Sequence, residues 1–161
     1  MLQKQKRALE EIHMKTNKLF LSLGVVWTLL FAALSFYWAL GGMVGVRSLG
    51  GAIYKQSLNP DLTFILIVWL TGFVKLLGAA LLFLLLVSWR KTWLKWTFYY
   101  TTKIAGIFLF TYGLLNFMTI SLSAFGVLDF DLDSYATYWR LVFWEPFWML
   151  GGLFYFFAAG K

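Results

Sequence analysis

Lys75, Asn116 and Glu145 are the residues most able to do chemistry in this chain, because each stands inside a stretch otherwise too apolar to solvate it. Lys75 lies about 13 residues into an apolar run opening at Leu62, roughly 20 Å along a helix at ~1.5 Å per residue. A lysine at that depth costs at least ~2.5 kcal/mol on insertion scales, so it is expected to face a partner, water or a bundle interior. Snorkelling along its own stem is the purely structural alternative. Asn116 falls at similar depth in a later apolar run, where it suits an interhelical hydrogen bond with Lys75 in reach. Glu145 lies about one turn into the last run. A depth difference of roughly 13 Å puts a direct Lys75–Glu145 pair at the limit of reach, so the two are expected to couple through water or a bound ligand.

Ser35, Trp38 and Trp148 complete the candidate binding set. Trp38, Trp144 and Trp148 are placed to rim Glu145 in an outward-facing pocket between the first and last runs, with a packed helix contact at the aromatic belt as the structural alternative. Other chemistry is poorly supplied. The chain has no cysteine and one histidine, His13, which rules out disulfides, thiolate metal sites and a multi-histidine metal site within one chain. Asp129, Asp131 and Asp133 alternate like a calcium loop, but an EF-hand opening at Asp129 needs Gly and Glu where Ser134 and Arg140 stand. No nucleophile–base pair, phosphate loop or carboxylate pair appears at helical spacing, so neither catalysis nor a cofactor is expected.

The elements that position these residues are set by the gaps between charges. Of 161 residues, 61% are hydrophobic and only 13% charged, which excludes an ordinary soluble domain and a disordered chain. Four uncharged or nearly uncharged stretches are long enough to cross a bilayer: residues 19–40, 62–87, 104–127 and 141–159. The first is too long for a signal-peptide core and is expected to be retained. The fold class is therefore all-α, a four-helix membrane bundle (19–161) behind a basic N-terminal segment (1–18) able to form an interfacial helix. Pro146 is placed in the first turns of the last span, where its missing N–H costs least.

Each span carries one stripe of small or polar residues at helical spacing, as a closed bundle requires. The stripes are Gly24, Thr28, Ser35, Trp38 and Gly42; Thr71, Gly72, Lys75, Gly78 and Ala79; Thr102, Gly106, Gly113, Asn116 and Ser123; Glu145, Trp148, Gly152, Tyr155 and Ala159. Lys and Arg before residue 19, between spans two and three, and at Lys161 outnumber Arg47, Lys55 and Arg140 on the other side, which predicts both termini in the cytoplasm. Topology thus absorbs most of the +7 charge, and nucleic acid is not an expected partner.

Two segments, Tyr37-Trp38-Ala39-Leu40-Gly41-Gly42 and Glu145-Pro146-Phe147-Trp148-Met149-Leu150-Gly151-Gly152, resemble an uncharacterised bacterial family of small four-span membrane proteins, a domain of unknown function. That family often has His where Ser35 stands, so a metal or proton role for the His does not transfer. The resemblance implies a multi-pass protein of the bacterial cytoplasmic membrane and brings no assigned reaction. Two functions remain in view. One is a membrane protein that binds a small or lipid-like ligand, or helps it across, through an interior built on Lys75, Asn116 and Glu145. The other is an accessory or assembly subunit docked on a larger complex. Membrane lipids, and a second copy or a membrane-protein partner, are the expected neighbours.

Overall fold

The computed structural model describes residues 2–129 and 132–160, with side chains from Thr16 onward. Helix α1 (Leu2–Ala39) runs unbroken from the basic segment into the first span. The side chains of the basic segment before Thr16, on which the expected interfacial helix rests, and His13 among them, lie outside the described ones. The chain then forms two short helices, α2 (Val46–Leu49) and α3 (Gly51–Leu58), before α4 (Leu62–Leu84), α5 (Thr92–Ala124), α6 (Ser134–Trp139), a π turn over Arg140–Trp144, and α7 (Glu145–Ala158). Four stretches, Thr16–Ala39, Leu62–Leu84, Thr92–Ala124 and Ser134–Ala158, are long and apolar enough to cross a membrane. The chain is an all-helical, multi-pass membrane protein, with no strand among the described residues.

Local chemistry explains the boundaries. The Asp61 side chain accepts the Phe64 N–H at 2.7 Å and so caps α4 behind Pro60. Asp133 caps α6 in the same way, accepting from the Ala136 N–H at 2.7 Å. One acid of the alternating run is thus a helix cap. Helix α1 ends in a Schellman motif, with the Gly42 N–H on Tyr37 O and the Gly41 N–H on Trp38 O, both at 2.9 Å. Gly41 takes φ +92°, which glycine adopts without strain. Gly41-Gly42 therefore terminates a helix, while Gly151-Gly152 packs two.

Leu82 lies against Gly24, and Phe36 packs on Trp69 and Phe73, so α1 and α4 are antiparallel. Helix α7 is antiparallel to α1 as well, with Phe20 on Phe157 at 5.0 Å and Phe31 on Trp148 at 4.7 Å between ring centroids. Gly106 and Gly152 face each other across α5 and α7 so closely that a Cβ on Gly152 would fall 2.5 Å from Phe110 N. This interface is backbone on backbone. The core is Leu21, Val25, Trp27, Phe31, Leu82, Trp144, Tyr155 and Ala158. Inside it, the Thr28 hydroxyl and Tyr155 phenol share a hydrogen bond of 2.9 Å. Contacts run in the order α4–α1–α7–α5, while α4 and α5 meet only marginally. The seam between α4 and α5 is thin, and the site lies beside it.

The span beginning at Ser134 starts earlier than charge counting places it, which puts Pro146 inside a helix rather than at its start. A proline ring there crowds the carbonyl one turn back and donates no N–H. The π turn just ahead of it accommodates both. The Glu145 N–H reaches Arg140 O, five residues back, and widens the turn.

Candidate functional site

A cavity of about 460 Å³ occupies the half of the bundle away from the chain ends, between α1, α4 and α7. Phe31 and Lys75 line its inner part, and Trp38, Trp144, Glu145 and Trp148 line one wall. Phe64, Ile67, Val68 and Thr71 of α4 form the opposite, largely apolar wall. Met43, Val46, Leu49 and Ile53 cover the end, so the segment holding α2 and α3 is a roof. That roof is fastened from below. The Trp144 indole N–H donates to Ser48 Oγ at 2.8 Å, Ser48 donates to Gly45 O at 2.5 Å, and Gly50 sits on Ala136 of α6. Ile67 and Thr71 line the cavity yet remain exposed, as does Tyr112 on α5. The space therefore opens sideways, where α4 and α5 barely touch.

Two polar stations stand in this space. At the first, Lys75 Nζ donates to Ser35 Oγ at 2.7 Å and lies 4.2 Å from the centre of the Phe31 ring. Both partners are uncharged, and the half-buried ammonium has no carboxylate partner among the described residues. Its cation–π contact contributes ~0.5–2 kcal/mol, more as water is excluded. At the second, Glu145 is 1% exposed and its Oε1 accepts from Arg140 Nε at 2.9 Å and Nη2 at 2.7 Å. Glu145 Oε2 is buried with no hydrogen-bond partner. The π turn makes this pair, since its extra residue brings side chains five apart onto one side of the helix.

Of the residues singled out by sequence, Ser35, Trp38, Lys75, Glu145 and Trp148 line this one cavity. Asn116 does not. Its amide donates to Tyr112 O at 2.8 Å and its Oδ1 accepts from Arg140 Nη2 at 3.5 Å, so it steadies the arginine instead of bonding Lys75. Arg140, counted as a topological loop charge, is the direct partner of Glu145. The sequence signal was the spacing Arg140-x-x-x-x-Glu145-Pro146, which reads as a pair only if a π turn is foreseen. Trp38 spends its N–H on Val44 O at 2.8 Å, which ties the first span to the roof.

Fold and cavity together define a four-span helical membrane protein with charged side chains facing an internal space. The chain belongs to the family described as Protein of unknown function (DUF3995), which matches residues 28–155, the stretch that includes all four spans in whole or part and the whole cavity. No curated protein and no solved structure matches it.

Proposed function

We propose that the protein is a non-catalytic component of the bacterial cytoplasmic membrane, both termini inside, that holds a small amphiphilic molecule in this cavity or helps it across. The observation that carries this reading is a cavity of about 460 Å³ with an apolar wall, a half-buried ammonium and a buried carboxylate oxygen without a partner. Its volume is that of a site for a drug-sized ligand, and such sites combine apolar lining with a few convergent polar groups. Ionisable groups at this depth mark ligand or ion pathways when they face an interior.

Ser35 and Lys75 have the composition of a serine–lysine catalytic pair, but their hydrogen bonds point elsewhere. The lysine donates to the serine oxygen, and the hydroxyl proton goes to Phe31 O at 3.2 Å. Ser35 also lies inside α1, where the neighbouring amides are used by the helix and none is free to hold an oxyanion.

The test is native mass spectrometry of the protein released gently from its membrane. One amphiphile per chain should be retained, and Thr71→Trp should weaken retention by narrowing the cavity at its sideways opening. Thr71 suits this change because its hydroxyl bonds only within its own helix, to Val68 O. Equal retention by the variant, or no retained species, contradicts the proposal. A co-purifying protein in place of a small molecule favours the accessory-subunit reading.

A further inference from the structure

We infer that the ligand's head carries one anionic group, held by Lys75, and one O–H or N–H donor, held by Glu145 Oε2, while its apolar chain leaves between α4 and α5. This rests on the binding function proposed above and names the ligand class. Charge comes first. The charged residues lining the cavity are Lys75, Arg140 and Glu145, and the arginine and glutamate neutralise each other, which leaves one positive charge. An ammonium held partly away from water is stabilised by a counter-charge, and Lys75 has only a hydroxyl and a ring face. An ammonium carries three donors, so at least one remains for an anion beside Ser35.

The second station is independent of the first. Glu145 Oε2 is an acceptor with no donor, in a residue that borders the cavity but is 1% exposed, so a ligand donor meets it once the side chain turns toward the space. Leaving a buried acceptor in this condition is costly, and a donor on the ligand would recover that cost. An anion without an O–H or N–H group, such as a phosphodiester, cannot satisfy it, because its oxygens meet the carboxylate with lone pairs only. A head with both an anion and a hydroxyl or amine satisfies both stations at once. The apolar lining and the sideways opening at Ile67, Thr71 and Tyr112 fit a chain that continues into lipid.

Four probes separate these features: dioleoyl-phosphatidylglycerol (anion and hydroxyls), dioleoyl-phosphatidylmethanol (anion alone), dioleoylglycerol (hydroxyl alone) and glycerol phosphate (head without chains). Each is titrated into the full-length protein in neutral detergent and read by native mass spectrometry. Phosphatidylglycerol should bind about tenfold tighter than phosphatidylmethanol, and that in turn tighter than dioleoylglycerol. Lys75→Met should bring phosphatidylglycerol down to the level of dioleoylglycerol, and Lys75→Arg should restore the preference. Should Lys75→Met not fold, the order among the probes on the unaltered protein still decides. Dioleoylglycerol binding as tightly as phosphatidylglycerol would overturn the inference and leave the binding function standing. Glycerol phosphate binding as tightly as phosphatidylglycerol would show that the chains play no part and overturn it as well. Saturable binding of none of the four would overturn it here, and the binding function falls only if the protein from its membrane also retains nothing.

Discussion

Glu145 and Lys75 are both charged residues inside an apolar helix, yet they are held in opposite ways. Glu145 is locked to Arg140 by two charge-assisted hydrogen bonds, so deleting the arginine strands a carboxylate that is 1% exposed. Arg140→Met should cost about 3 kcal/mol, at the low end for a broken buried pair because the arginine side chain keeps 22% of its surface exposed. Combined with Glu145→Gln, it should cost less than the two single changes added together, by roughly 1–3 kcal/mol in detergent unfolding. Strict additivity would show that the pair contributes no mutual stabilisation. Lys75→Met should stay within about 1 kcal/mol of the parent, because giving up a ring face and one hydroxyl is offset by no longer holding an unneutralised charge partly away from water. A loss as large as that of Arg140→Met would make Lys75 a structural residue. The contrast was only half legible in the sequence. Both residues stand out by depth, but the partner of Glu145 depends on a local helix widening that no hydrophobic period encodes.

At the scale of elements, spans were legible because charge and apolarity set what lipid accepts, and helix ends were less so because charge does not stop a helix. Helix α5 begins at Thr92 and carries Lys95 and Lys103, while its uncharged part starts only at Ile104. The roof formed by α2 and α3 was missed altogether. Its helices span Val46–Leu49 and Gly51–Leu58, too short to show a period, and glycines at positive φ flank and join them. The small-residue stripes, by contrast, fall mostly where helices meet, although Thr71 is exposed and Gly42 lies in the turn that ends α1. Gly106 and Gly152 illustrate this, since a Cβ on either would strike the opposite backbone. Gly152→Ala should force α5 from α7 and destabilise by about 1–3 kcal/mol, whereas Leu77→Ile, at a position 70% exposed, should stay within about 0.5 kcal/mol. Equal effects of both changes on thermal unfolding in detergent would contradict the α5–α7 packing.

The whole molecule pairs a tight seam, α5 against α7, with a thin one, α4 against α5, and a sideways-opening cavity follows from that asymmetry. Orientation in the membrane is a separate matter, argued from basic residues alone. The chain has no cysteine, so single cysteines at exposed Gln56, Ser134 and Thr92 can be labelled by an impermeant reagent. In intact cells Gln56→Cys and Ser134→Cys should react and Thr92→Cys should not. Labelling of Thr92→Cys from outside would reverse the orientation. The binding function itself is tested most directly by an experimental structure of the protein crystallised from a lipidic mesophase containing phosphatidylglycerol. Elongated density should enter between α4 and α5 and end in a head within hydrogen-bond distance of both Lys75 Nζ and Glu145 Oε2. A collapsed cavity in which Lys75 itself bonds Glu145, or one filled with water alone, would contradict it.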